Sequence, residues 1–531
     1  MKSNLQVKPW VKIAGIALIV CGIVFGIKHF LGGDKNSKSL SEMFSSGSTP
    51  SSSNSDADIV LGVNTYAGFM PFMYLNGGLE PNENSILYKQ FGIKLKIVIQ
   101  DDFAAGRSAF QSDNINVIYC TADSWPVEMS ESGQMYKDGA KFFNISNWSR
   151  GADAIVVNKN IQTVKDLLGK VVACSKGTAS HTLLLNTLET SGIGYDKINT
   201  TENTDPGKVN IRYVESGVEA ANVFRSGSCD AAVCFSPDDV DLCAKVSGAH
   251  VLMSTKQASS IICDGLIAKE SWLDSNKELV KKFVKALLYA NNKINTDPEA
   301  VKQAAKAFVK SFGTDEEFAA SGSKNIHYVT LGDELNFFGL NSEYTGITGD
   351  ELYSKMSRTY SGLKICSTPV SWRKASYLGI IEELGESEKA SLAKEQKAES
   401  GPVFDKPNTQ MESSEAISDK KVTIEFPTGS DVLDNNAKAI IDREIVSIAK
   451  QFSGSYMRVE GNTDGTGSDV VNKPLSKRRA QAVVNYLVRE YKFSPNRFIV
   501  VGNGSKKARS AGDSSDNQAY RTTDFMLIGD K

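Results

Sequence analysis

Asp464 and Arg479 flank a polar loop in GNTDGTGSDVVNKPLSKRRAQAVVNYL, residues 461–487. The acid ends a strand-like run, SYMRVEGNTD, and the guanidinium rides on a helix-like run. Such a pair can grip the two ends of one zwitterion. The carboxylate takes an ammonium, and the planar fork of the arginine takes a carboxylate. Gly461, Thr463, Asn472, Leu475 and Ser476 complete the pattern. Ser476 reads as the N-cap of a helix that starts there, Arg479 as one turn into it, and Asn472 as a brace for the loop. The amides of that helix N-terminus add donors for the same carboxylate. Taken singly, each of these residues also has an ordinary structural role.

A second set of candidates lies in the larger, earlier part of the chain. SKGTASH, residues 175–181, places Thr178 and Ser180 at a helix start, where free amides and hydroxyls suit an anionic group. A plain helix cap by Ser180 is the alternative. Tyr66, Phe69 and Trp148 can wall a cleft and stack on a flat ligand, or pack a core. Thr121 and Asp123 follow the strand-like VIYC, and Asp238 stands in an acidic turn. Asp101, Asp102, Asp153, Asp239 and Asp264 also fall at strand ends or turns, where an acid selects an ammonium group or simply caps a helix. The charge of any ligand stays open. His181 lacks a placed nucleophile and acid, so no catalytic constellation emerges and no enzyme activity is expected. No Cys/His spacing resembles a metal site, and no cofactor is expected.

The elements that must position these residues fall into two units. Strand-like runs (59–63, 94–99, 117–120, 154–157, 171–173, 209–214, 231–235, 261–268) alternate with helical patterns such as 180–190, 217–225 and 277–294. That order predicts an α/β unit with largely parallel sheets over 57–384. Residues 422–531 read β-α-β-α-β-β, a small α+β unit. Residues 36–56 are Ser-rich and 385–421 polar, so both read as linkers. Aromatics within 313–341 receive no role.

Residues 13–27, IAGIALIVCGIVFGI, are apolar and uncharged between Lys12 and Lys28. They read as an uncleaved transmembrane signal anchor within residues 1–35, with a cleaved signal peptide as the rival. The expected placement is single-pass in the inner membrane, with the domains in the periplasm. A formal net charge of −2 argues against a nucleic-acid partner. Of seven cysteines beyond the anchor, Cys120, Cys174 and Cys234 read as buried; Cys229 and Cys234 are able to pair with each other or with Cys243.

NIQTVKDLLGKVVACSKGTASHTLLL resembles a run in periplasmic solute-binding proteins of the nitrate/taurine/sulfonate and thiamine-precursor type. The resemblance implies two lobes joined by crossovers near 149–156 and 259–268, closing on a small solute. The terminal unit resembles the OmpA C-terminal family, shared with flagellar stator and peptidoglycan-associated lipoproteins. Gly461, Asn462, Thr463, Asp464, Gly467, Asn472, Leu475, Ser476, Arg479 and Ala480 carry it. It implies that the clamp holds the diaminopimelate of a peptidoglycan stem peptide. Asn462 replaces the usual His, and Tyr520, Arg521 and Thr522 stand where the family has N-R-R. The combined expectation is a membrane-anchored, wall-binding receptor that serves an ABC permease or reports its solute. The rival is a structural or signalling protein whose receptor-like domain binds another envelope protein.

Overall fold

Strand β4 (Ala140–Ser149) runs into β5 (Asp153–Val157) with three residues between them, yet the two belong to different sheets. This is the first crossover. The structure, a computed structural model, describes residues 56–531 except 132, 199–203, 314–322, 393, 427–428 and 530–531. The apolar 13–27 stretch and nearly all of the Ser-rich linker lie outside the described residues. Among the described residues, no helix is long and apolar enough to cross a membrane.

The first lobe is built on a six-stranded sheet. Its order is β12 (Ile326–Tyr328), β4, β11 (Cys263–Lys269), β3 (Val117–Thr121), β1 (Ile59–Val63) and β2 (Leu95–Ile99). The second lobe has β10 (His250–Ser254), β5, β9 (Ala231–Phe235), β6 (Val171–Ser175), β8 (Val209–Val214) and β7 (Tyr195–Ile198). The sheets are mixed rather than largely parallel. β1 is parallel to β2 and β3, but β11 is antiparallel to β3 and β4. β6 is parallel to β8 and β9, but β5 is antiparallel to β9 and β10. The reason is connectivity. β5 and β11 enter from the opposite lobe without the long crossover that a parallel neighbour requires. Interior strands such as β5 and β6 are buried along their whole length, which explains their largely apolar sequences.

Gly265 lies at the centre of β11. A Cβ there would sit 2.0 Å from the Phe142 ring and 2.5 Å from the Asn144 carbonyl oxygen, so the bulged β4–β11 pairing accepts only glycine. Helix Lys277–Thr296 lays Val280, Phe283, Val284 and Leu287 into the first lobe's core, where the Phe283 ring stacks on Phe72. Tyr328, Phe337 and Phe338, the aromatics without an assigned role, belong to the same core. Residues 314–322 of that stretch lie outside the described residues.

Helix Gly349–Gly362 spans the two lobes. The Tyr360 hydroxyl meets the Thr182 hydroxyl at 2.7 Å, and Lys355 donates to Asn186 at 2.7 Å, both on helix Ala179–Glu189 of the second lobe. The polar 385–421 stretch is not a free tether. Glu399 pairs with Arg150 of the first crossover, and the buried Phe404 packs edge-on against Tyr456.

The terminal unit is a four-stranded sheet ordered β13 (Ser418–Val422), β16 (Thr523–Ile528), β14 (Tyr456–Asn462) and β15 (Phe498–Gly504). It docks on the second crossover. Ser260 N–H donates to the Gln451 carbonyl at 3.1 Å, and Gly454 N–H to the Gln257 carbonyl at 3.1 Å. The Ser453 hydroxyl lies 2.7 Å from that of Ser259 and 2.8 Å from that of Ser260. All seven described cysteines are free thiols in the structure, Cys229, Cys234 and Cys243 among them. Cys120, Cys174 and Cys234 are buried.

Candidate functional sites

In the terminal unit, β14 delivers Asp464 just past its last residue, and helix Asp469–Tyr491 carries Arg479. Both side chains are largely buried. The helix begins well before Ser476, which corrects the reading of Ser476 as its N-cap. Ser476 sits inside the helix, fully buried, where its hydroxyl donates to the Lys473 carbonyl and accepts Gly504 N–H at 2.9 Å. Arg479 is therefore beyond the reach of the helix N-terminal amides. Gly461 has a steric role. A Cβ there would lie 2.0 Å from the Ser476 carbonyl, so the glycine lets strand and helix touch. Asn472 does brace the loop, donating to the Thr466 carbonyl at 2.6 Å. Thr463 and Leu475 are buried beside the site; the Thr463 hydroxyl donates to the Asp464 carbonyl at 3.1 Å.

One Asp464 oxygen accepts Thr466 N–H at 3.0 Å and the Thr466 hydroxyl. The other accepts from Arg521 Nε. Burial works to raise the Asp464 pKa, and the Thr466 and Arg521 contacts outweigh it, so the group stays below its ordinary value. Arg479 donates to the Ser430 carbonyl at 2.9 Å, and its guanidinium lies 5.0 Å from the Phe426 ring centroid. Burial, and then the like charge of Arg521, lower its pKa. One carboxylate and two guanidiniums thus converge. Arg521 is the residue that pattern reading missed: it occupies the edge where the sequence departs from N-R-R. Asn462, in place of His, donates to Asp524 at 3.2 Å and to the Thr522 hydroxyl at 3.1 Å, and so ties that edge to β14.

In the larger unit, the SKGTASH turn closes on itself instead of offering open donors. Gly177 N–H donates to His181 Nδ1 at 3.2 Å, and the Thr178 hydroxyl to the Ser175 carbonyl at 3.0 Å. Tyr360 covers the turn with its hydroxyl 3.3 Å from the Thr178 carbonyl. Thr178, not Ser180, holds the N-cap position. Burial and the nearby Lys176 push His181 down to about 4, so it is a neutral packing group. Phe69 is core, wedged among Tyr66, Phe72 and Tyr119. Trp148 packs on Phe337, with the Arg150 guanidinium over its ring. Asp238 lies in the first turn of its helix, 4.0 Å from Arg225. Asp101 holds the Thr65 amide and hydroxyl, and Asp102 caps the next helix.

The remaining candidates converge on the region between the lobes. Tyr66 follows β1, Thr121 ends β3 and Asp123 follows it, and all three lie at carboxyl ends of strands, where ligands of α/β folds bind. Asp264 on β11 is in register with Thr121, and Asp153 on β5 with Phe235 at the end of β9. Neither oxygen of the fully buried Asp123, nor the Tyr66 hydroxyl, has a hydrogen-bond partner within 3.5 Å, although the Thr182 and Thr121 hydroxyls lie near Asp123 and that of Ser149 near Tyr66. Thr121 instead meets the Ser124 hydroxyl at 2.6 Å. Among the described residues, no cluster suits a metal ion.

Comparison with known proteins follows this division. The pattern of the OmpA family matches residues 425–522, and that of NMT1/THI5-like proteins matches residues 149–301. The chain is 30% identical over 99 residues to outer membrane porin F of Pseudomonas aeruginosa, covering 19% of this chain and 28% of that protein's length. The periplasmic aliphatic sulphonate binding protein SsuA from Escherichia coli is 17% identical, with a TM-score of 0.46 over 61% of this chain and 98% of its own. The alkanesulfonate-binding protein SsuA from Xanthomonas axonopodis pv. citri is 14% identical, with a TM-score of 0.45 over 62% and 100%. The chain therefore carries an NMT1/THI5-like region followed by a C-terminal OmpA-family domain.

Proposed function

We propose that this chain is an envelope protein that holds peptidoglycan through its OmpA-family domain and captures a small solute between the lobes of its receptor domain. The observation that carries the first half is the convergence of Asp464, Arg479 and Arg521. A carboxylate beside two guanidiniums complements the ammonium and carboxylate at the end of a diaminopimelate side chain. The unpartnered Asp123 and Tyr66 oxygens between the lobes support the second half. Lobe closure about the two crossovers is the mechanism. The apolar 13–27 segment supports an inner-membrane anchor, and an ABC permease is the fitting client of a captured solute. The reporting role gains from one feature: the OmpA-family domain is hydrogen-bonded to the second crossover, so the wall-binding domain touches the segment about which the lobes would move.

Cosedimentation of the full chain with diaminopimelate-type peptidoglycan tests the wall assignment. The unmodified chain pellets with the wall, and the Asp464→Ala, Arg479→Ala double variant stays in the supernatant. Undiminished pelleting of that variant refutes the assignment.

A further inference from the structure

Four buried acids lie near enough across the lobes to feel one another's charge, and among the described residues no Lys or Arg offsets Asp153 or Asp264. Asp123, Asp153, Asp239 and Asp264 are all buried. They come from four separate places: the loop after β3, the start of β5, the first turn of the helix after β9, and the second residue of β11. Both oxygens of Asp123 and one of Asp239 lack hydrogen-bond partners, as does the Tyr66 hydroxyl in the same region. Burial raises Asp123 to about 6 against the opposing effect of the nearby Thr182 and Thr121 hydroxyls, which also meet Tyr360 at 2.7 Å and Ser124 at 2.6 Å. Burial, then the charges of Asp153 and Asp123, raise Asp264 well above its ordinary value; burial, then Asp123 and Asp239, raise Asp153 to about 7. No Lys or Arg contributes to either shift.

Buried carboxylates without a countercharge must be met by protons or by a cation. An anionic solute would add a like charge to the group. A metal ion needs several ligands converging at bonding distance, and among the described residues none do. An organic cation meets both demands, because its N–H groups donate to the open acceptors and its charge offsets the acids. The Tyr66 ring stands near Asp264 and Asp153 and packs edge-on against the core residue Phe69. Building on the receptor reading above, we propose that the inter-lobe site binds a small organic cation through Asp123, Asp153 and Asp264, with Tyr66 against it.

Thermal melting of the full chain with putrescine, agmatine, choline, ethanesulfonate, nitrate or magnesium chloride tests this. At least one of the three amines raises the receptor transition by about 3 °C or more at a hundredfold excess over its Kd. The effect disappears in Asp123→Asn and in Asp264→Asn, each of which retains a cooperative transition without ligand. A shift with ethanesulfonate or nitrate alone overturns the cation class and keeps the receptor reading. A shift with magnesium alone overturns the organic class. No shift with any probe, and no solute released on denaturing the purified chain, overturns the receptor reading and the cation class together. An amine shift that persists in both variants overturns the residue assignment.

Discussion

Arg521 is where the OmpA-family site differs most from its sequence reading. Asp464 and Arg479 were legible because a local motif carries them. Arg521 pairs with Asp464 across 57 positions of chain, a relation no local pattern encodes. Arg521→Ala strips a charged partner from a largely buried carboxylate, and peptidoglycan binding is expected to weaken about tenfold or more, read from cosedimentation isotherms. Arg521→Lys keeps the charge and loses the fork, and so falls between. In the receptor, burial first and foremost pushes Asp123 up to about 6 and Asp153 to about 7. A carboxyl whose folded-state pKa exceeds its unfolded value holds its proton more tightly when folded. Its contribution to stability is complete below the unfolded value and is lost as pH rises through the folded one. The ligand-free receptor transition should therefore melt higher near pH 5.5 than near pH 8, and Asp123→Asn should flatten that slope.

Elements explain the other departures. Pro474 stands inside helix Asp469–Tyr491, and a proline two residues before a serine invites a helix start at Ser476. The structure tolerates the lost hydrogen bond because Pro474 lies near the beginning of a long helix packed on β14 and β15. Strand and helix alternation was readable from apolar runs. Strand direction was not, because a buried strand looks alike in either sense, and only the brief β4-to-β5 link reveals that β5 runs against β9. Gly461→Ala drives a methyl group into the Ser476 carbonyl. The expected cost is about 2 kcal/mol or more, measurable by urea denaturation of the OmpA-family transition, with wall binding falling in parallel.

At the scale of the molecule, polar composition made 385–421 look like a tether, whereas ion pairs and a buried Phe404 bind it to its neighbours. Lys355 shows how far such joins reach. It donates to Asn186 and Glu189 of the second lobe and to Gln451 of the OmpA-family domain. Burial lowers its pKa, with Glu189 opposing that shift. The tightest point of the seam is Gly454, where a Cβ would lie 2.1 Å from the Lys256 carbonyl oxygen. Gly454→Val should separate the two domains. The expected signs are faster protease cleavage within 400–417 and unchanged wall binding; equal cleavage rates would mean that the seam contributes little.

Residues 256–260 belong to a crossover between the lobes, and residues 451–454 of the OmpA-family domain hold them by backbone hydrogen bonds. A tug on the wall would thus arrive at the pivot of the receptor rather than at its outer faces. Tension applied through the OmpA-family domain would bias the lobes toward one opening angle and change solute affinity. Pulling a tethered molecule from its OmpA-family domain while recording solute residence time would reveal this coupling as a force-dependent lifetime. A lifetime indifferent to load would show that the pivot is mechanically isolated.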